Sequence, residues 1–512
     1  MLFNLFLNKT PEVINLGCDP VVVENVNNSA HEHPCCDTCC DPVEIGNNRN
    51  STLMWCDDLV VFSRSAKGLQ NAINRISQHF KSLGLSVNKT KTKVVIFNNR
   101  GISLSNNPEN IFFIDGARLD VVNEYQYLGL KLKSSGSFNH ASNELYTKAS
   151  RSYFSISNIL YSHKKWPVNR ALSMFDTIVS PVCLYASEVW STLVLPTKSF
   201  KNLDSVLKAW ETFQPELLNQ KVCRMVLGVH RKAARYAVLG ELGRFPLLFR
   251  ALTHTLKYEW YVSNKSPLSS LVYQAVTEMK SMTNPNSDCW YYRVKKLKTM
   301  FQIPDFNCRT NPDTIAKKIS NIIESKFSLF WKQEISRIKL GPNDTTDRNK
   351  LRFYKTLKSS FSIEPYISSI QNRNQRAWIS RIRLSAHRLC IETGRYTQPI
   401  TPVCERVCKY CETGSIDDEN HLINCPKFST KTNCLFGKIS AFNPEFLILN
   451  NQDKILSLLC PVNPKIAKLF NKYIGIIFNA RTRIDNGEPM DRGLFSNTDS
   501  FLSSESDDSD MD

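Results

Sequence analysis

Two adjacent aspartates, Asp57 and Asp58, interrupt an otherwise apolar run from Leu53 to Ser63. Neighbouring carboxylates are costly to bury unless they are paired or hold a cation, so the chain has to turn where they stand. The run therefore reads as a β-hairpin with both acids at its tip. Two carboxylates at a tip can face one site, which suits divalent cations in phosphoryl transfer; the alternative is a solvated turn.

The flanks fit a small mixed layer. Ala66 to Leu83 has helical spacing, with Leu69, Ile73, Ile76 and Phe80 on one face and Gly84 ending it. Val87 to Phe97 returns to strand composition, centred on Val94 to Phe97, and Tyr125 to Leu130 suits a strand or tight hairpin. After about Ser137 long helix-compatible stretches take over, punctuated by Pro167, Pro181, Pro246, Pro285 and Pro304. The expected class is α+β, and 512 residues imply several domains.

Before the hairpin lies a short duplication. Cys18-Asp19-Pro20-Val21 recurs as Cys40-Asp41-Pro42-Val43, and Asn25, Asn28 and Ser29 recur as Asn47, Asn50 and Ser51, all at an offset of 22. Two copies make no solenoid. The crowded donors His31, His33, Cys35, Cys36, Cys39 and Cys40 fall at its junction and read as an accidental tract rather than a metal site.

A second cysteine cluster has better spacing. In Cys408-x2-Cys411-x9-His421-x3-Cys425, the first pair suits a tight knuckle, and a His and a Cys four apart can share a helical face. Four closed ligands point to structural Zn²⁺, with Cys404 able to replace one of them. The 17 cysteines, an odd number, with no leader at Met1 to Asn8, fit a reducing compartment. No apolar run approaches a membrane span, so a nuclear or cytoplasmic protein is expected.

Lysine and arginine outnumber acids 65 to 47, a net +18 that favours a polyanionic partner. The basic residues are dense at Arg373, Arg376, Arg381, Arg383, Arg388 and Arg395. Trp378, Ile382, Ala386 and Leu389 form an apolar stripe there, which puts the arginines largely on other faces, free for phosphate or for solvent. Trp378, Tyr396 and Tyr410 are candidate stacking aromatics.

The stretch Trp55-Cys56-Asp57-Asp58-Leu59-Val60-Val61-Phe62-Ser63 resembles the Tyr-x-Asp-Asp motif of reverse transcriptases, specifically those of non-LTR (LINE-type) retrotransposons. Further similarities follow in the family's order. Leu2 to Phe6 resembles the tail of the nucleotide helix, and Ser65 to Gln70 the start of the next helix. Gly84 to Asn88 with Lys91 and Lys93 resembles the next palm motif, and Tyr127-Leu128-Gly129 the primer-grip turn. Pro181 to Trp190, Leu239 to Leu247 and Leu384 to Tyr396 are similar to downstream blocks, and the Cys408–Cys425 cluster resembles the zinc-knuckle-like element near the family's C-terminus.

The resemblance implies a partial antiparallel palm over 1–133 containing the duplication near 18–51, a helical thumb over 134–235 and a helical linker with the Arg-rich helix over 236–400. A zinc-knuckle-like module over 401–430, a C-terminal helical segment over 431–490 and a disordered acidic tail over 491–512 complete it. It implies Mg²⁺ on Asp57 and Asp58, a primer end on Tyr127, Leu128 and Gly129, and nucleic-acid contacts from Lys91, Lys93, Arg376, Arg381, Arg383 and Arg388. The partners implied are the element's RNA and a target DNA primer. The sequence departs from the family pattern at Trp55, where Tyr is usual, and at Cys56. The family's third metal carboxylate and fingers would lie before Met1. The expectation is thus a reverse transcriptase (RNA-directed DNA polymerase) fragment, inactive alone unless a partner supplies them, or else a non-catalytic, zinc-containing, nucleic-acid-binding remnant.

Overall fold

The computed structural model describes residues 40–46, 48–50, 52–97, 110–163, 165–281, 288–339 and 349–487. Most of the duplication, the His/Cys tract other than Cys40, Pro285 and the acidic tail lie outside these residues. The α+β expectation holds: among the described residues helices dominate, and nine short strands form four small sheets. The chain divides into two compact units interleaved along the sequence. One comprises Met1–Thr147, Leu184–Ala209 and Arg250–Ile322; the other comprises Lys148–Cys183, Trp210–Phe249 and Ile323–Asp512.

In the first unit β1 (Val43–Ile45) pairs with β2 (Asn48–Asn50), and β3 (Thr52–Trp55) with β4 (Asp58–Val61), both antiparallel. The helix Ala66–Ser82 follows, N-capped by Ser65, whose side chain accepts from Gly68 N. Its apolar face is shared between two clusters, which is why its spacing was so regular. Ala72 and Ile76 pack with Cys40, Leu59, Val61 and Phe80, seating β4 on the helix. Ile73 packs with Val94, Phe112, Ile114 and Leu119 of the neighbouring sheet.

That sheet orders β5 (Lys93–Val94), β7 (Ala117–Val121) and β6 (Phe112–Ile114). The strand expected over Val87 to Phe97 shrinks to two residues, and it pairs parallel with β7, the one parallel pair among the described strands. Apolar composition marked Val94 for burial, but Phe97 remains 60% exposed. Gln70 clamps the helix to the sheet edge: its amide donates to Phe113 O and accepts from Phe113 N, both at 2.8 Å, standing in for a strand. The predicted tight hairpin is present as β8 (Glu124–Tyr127) and β9 (Leu130–Lys133).

The second unit is helical. Its centre is the Arg-rich helix Arg373–Arg383, which packs against Pro464–Asp485; Trp378 stacks on Phe478 with ring centres 5.1 Å apart. Ala377, Ile379 and Ile382 are buried, but so are Arg376 and Arg383. The expectation that these arginines lie on outer faces fails for both. The helix is covered on more than its apolar stripe, and the covering elements bring the groups that satisfy its charges.

Candidate catalytic hairpin and metal centre

Trp55 pairs with Asp58 in the hairpin register, leaving Cys56 and Asp57 as the two-residue turn. Cys56 takes a left-handed φ of 54°, a conformation that favours glycine. Only Asp57 is therefore in the turn, and Asp58 opens β4. Both are exposed, as is Trp55 at 63%. Solvent access suits carboxylates that meet a cation and a charged substrate, and leaves them free of structural partners.

The second hairpin belongs to the same unit as the first. Its turn, Leu128 and Gly129, has φ of 46° and 83°; positive values at both positions define the tight turn that matches strand twist. Tyr185 holds this turn, its hydroxyl donating to Leu128 O at 2.7 Å and its ring 3.3 Å from where a Cβ on Gly129 would sit. Trp190, fully buried, fixes Tyr185 in turn by donating to its carbonyl at 2.7 Å. Burial, and then the Asp58 carboxylate, raise the Tyr127 phenol above its ordinary value. Asp58 thus lies within electrostatic reach of Tyr127, although 69 positions separate the two in sequence. The bracing by Tyr185 was not foreseen from the turn itself; the only signal was its place in the block Pro181 to Trp190.

Residues 1–132 match the model of the reverse transcriptase (RNA-dependent DNA polymerase) family. The matched segment contains both hairpins except for the last residue of the second. The match ends at β9, one residue before the expected palm boundary. The chain is also similar to an uncharacterized transposon-derived protein of Caenorhabditis elegans, 29% identical over 151 residues. That alignment covers 28% of this chain, which spans half the length of the relative. The resemblance to a retrotransposon reverse transcriptase therefore holds.

The basic residues assigned to nucleic acid are placed less uniformly. Lys91 is exposed beside the reverse-transcriptase hairpins, whereas Lys93 is tied to Asp120 at 2.6 Å. In the other unit, Arg376 donates to the carbonyls of Ile370, Gln371 and Val226 at 2.9, 2.5 and 2.6 Å. Arg383 donates to Glu241 at 2.6 Å, both fully buried, and pairs with the partly buried Glu364 at 2.8 Å. Burial disfavours its charge, but Glu241 and Glu364 outweigh that and hold it ionised. Neither guanidinium can reach a phosphate outside. Arg381 is half-buried, its Nε donating to Gly228 O at 3.0 Å, and Arg388 is exposed.

The block Leu239 to Leu247 owes its pattern to the same core. Glu241 is the counter-ion of Arg383, and Arg244 grips Asp176 with two bonds of 2.9 and 3.1 Å. A Cβ on Gly240 would sit 2.4 Å from Trp331, and one on Gly243, at φ 57°, 2.7 Å from Ile363 N. These are packing requirements.

Cys408, Cys411, His421 and Cys425 converge as expected, with their ligand atoms all within 4.8 Å of one another. Cys408 Sγ is 4.0 Å from Cys425 Sγ, and Cys411 Sγ is 3.4 Å from His421 Nε2. A tetrahedral Zn²⁺ with bonds of roughly 2.0–2.3 Å needs ligand separations of roughly 3.5–3.8 Å, so the set fits such an ion. Cys404 is exposed and outside the group. The knuckle is closed by a bridge between Val407 and Ile416, with Gly414 at φ 65° in its turn. Asp418 caps the helix Glu419–Asn424 by accepting from Asn420 N and His421 N. Cys425 lies just past that helix, so His421 and Cys425 converge through the turn rather than along one helical face.

The centre is anchored below. Glu419, fully buried, pairs with Arg352 at 2.7 Å and His387 at 3.1 Å; Asp417 accepts from Cys390 N at 2.9 Å and pairs with Arg481 at 3.0 Å. His387, Cys390 and Glu392 belong to the block Leu384 to Tyr396, which thus forms the seat of the metal centre. Burial pushes the Cys425 thiol up to about 12, with the nearby sulfurs adding to it; a divalent cation offsets both effects.

Proposed function

We propose that this chain carries the catalytic-hairpin segment of a non-LTR retrotransposon reverse transcriptase, with paired catalytic acids that depend on a further carboxylate for polymerisation. The observation that carries it is the family match over both hairpins, and the exposed acids and the braced Tyr127-Leu128-Gly129 turn support it. Asp57 and Asp58 would hold Mg²⁺, which neutralises charge on an incoming triphosphate and a primer hydroxyl. The Leu128–Gly129 turn, fixed by Tyr185, would position the primer end; its backbone geometry leaves room that a Cβ at Gly129 would close. Element RNA would be the template and a target DNA end the primer.

Among the described residues, the one group of three or more acidic, His or Cys donors within reach of a common ion is the Cys408–Cys425 set, so Asp57 and Asp58 have no third acidic ligand there. That favours a second reading, a non-catalytic nucleic-acid-binding remnant. The test is primer extension on an RNA template with Mg²⁺ or Mn²⁺. The chain alone should give no product; incorporation that Asp57→Ala abolishes would show that the site is complete and remove the dependence. In either reading, the four-donor centre would hold one structural Zn²⁺. Metal analysis should find one equivalent in the wild type and none in Cys411→Ser; equal content in both would reject the ligand set.

A further inference from the structure

With Arg376 and Arg383 turned inward, the second unit still gathers cations on its surface, from parts of the chain that no local pattern joins. The helix Glu216–Leu227 ends at Gly228, and the loop beyond it carries His230 and Lys232. Lys232 Nζ lies 4.0 Å from the centre of the Tyr396 ring. Lys350 Nζ is 5.9 Å from that centre and 3.3 Å from the Tyr396 hydroxyl, and it donates to Lys232 O. Burial, then Arg388, hold the Arg381 guanidinium below its ordinary value. At His230 burial acts first, followed by the charges of Lys350, Arg381 and Lys232, all lowering the imidazole.

The cations therefore stand within electrostatic reach of one another. Among the described residues none of Lys232, Lys350, Arg381 and Arg388 has a carboxylate at ion-pair distance. Lys350 and Arg381 spend hydrogen bonds on backbone carbonyls or the tyrosine hydroxyl, which leave their charge uncompensated, as does the place of Lys232 over the Tyr396 ring. Like charges held together without counter-ions create a positive potential that a polyanion relieves. In their midst Tyr396 is 51% exposed, whereas the other two aromatics considered for stacking are engaged: Trp378 on Phe478, and Tyr410 with Asp485 at 3.0 Å. Phosphate-binding cations around one half-exposed aromatic ring, Lys232 on one side of it, are the elements of single-strand recognition.

We infer that Lys232, Lys350, Arg381, Arg388 and Tyr396 form a binding site for single-stranded nucleic acid, the cations taking phosphates and the tyrosine one unstacked base. This rests on the nucleic-acid-binding reading above and gives it a location outside the polymerase hairpins. The experiment is a salt titration of the full chain binding a labelled unstructured 20-nucleotide RNA, in parallel with a duplex of the same length. Lys232→Ala with Lys350→Ala should flatten the log–log salt slope by about 1 to 1.5, at about 0.7 per lost phosphate contact. Tyr396→Ala should weaken single-strand binding about ten-fold and leave the slope and the duplex unaffected, while Tyr396→Phe binds within about two-fold of wild type. All substitutions are at the surface, and unchanged far-ultraviolet circular dichroism confirms that folding is intact. If the wild type binds with a steep slope that the lysine pair leaves unaltered, this patch is not the site and the broader reading stands. If the wild type shows no salt-dependent binding of either probe, the broader reading falls and this site with it. Equal loss of single strand and duplex in Tyr396→Ala would overturn the single-strand assignment.

Discussion

The hairpin Thr52–Val61 and the helix Arg373–Arg383 are the two regions where charge interrupts an apolar pattern most sharply, and they are built in opposite ways. The hairpin keeps Asp57 and Asp58 in solvent, on strands seated by Leu59 and Val61. The helix takes Arg376 and Arg383 into the core, where carbonyls and Glu241 satisfy them. A two-stranded hairpin has one face to bury and a free tip. A helix packed on several sides encloses the charges on those sides, and they need partners from elsewhere. Charge in an apolar context thus marks an exposed tip in one place and a structural joint in the other.

The comparison breaks most visibly at Arg383. Replacing it with Ala leaves the buried Glu241 without its counter-ion, while Glu364 keeps Lys358, and should cost about 3–5 kcal/mol in denaturant unfolding. A cost below about 1 kcal/mol would mean that water reaches the pair and that the helix is less enclosed.

Glu216 sharpens it with pH. Burial pushes its carboxyl up to about 7, against hydrogen bonds from Leu247 N, Asn219 and Gln220. A folded value above the unfolded one of about 4.3 means that the native state binds the extra proton, so stability is full below about pH 4 and falls as pH rises through 7. Between pH 5 and 7.5 the wild type should lose about 2 kcal/mol relative to Glu216→Gln. Parallel stability curves for the two proteins would contradict it.

The smallest effect belongs to the hairpin. Asp57→Asn and Asp58→Asn should each change unfolding free energy by less than about 0.5 kcal/mol, because neither carboxylate holds structure together. A loss above about 1.5 kcal/mol would make the pair a structural feature like the arginines.

Features that depend on a few neighbouring residues were legible from the sequence. The acid pair and apolar alternation gave the hairpin, the spacing of Ile73 and Ile76 gave the helix, and the Cys408–Cys425 spacing gave four donors that do converge. The lengths of strands were less legible: Lys93–Val94 is short because sheet pairing, not composition, sets where a strand ends. The brace from Tyr185 to Leu128 and the cation cluster at Tyr396 had no local signal, since each joins residues more than 40 positions apart.

The sequence by itself determined turns, helix faces and ligand sets, because these follow from backbone geometry and side-chain period over a few residues. Only the tertiary structure decided which charges are inside. Arg383 and Glu241 lie 142 positions apart, and the energy that settles both is their mutual attraction in a medium from which water is removed. Arg388, five residues on, escapes that enclosure and stays exposed.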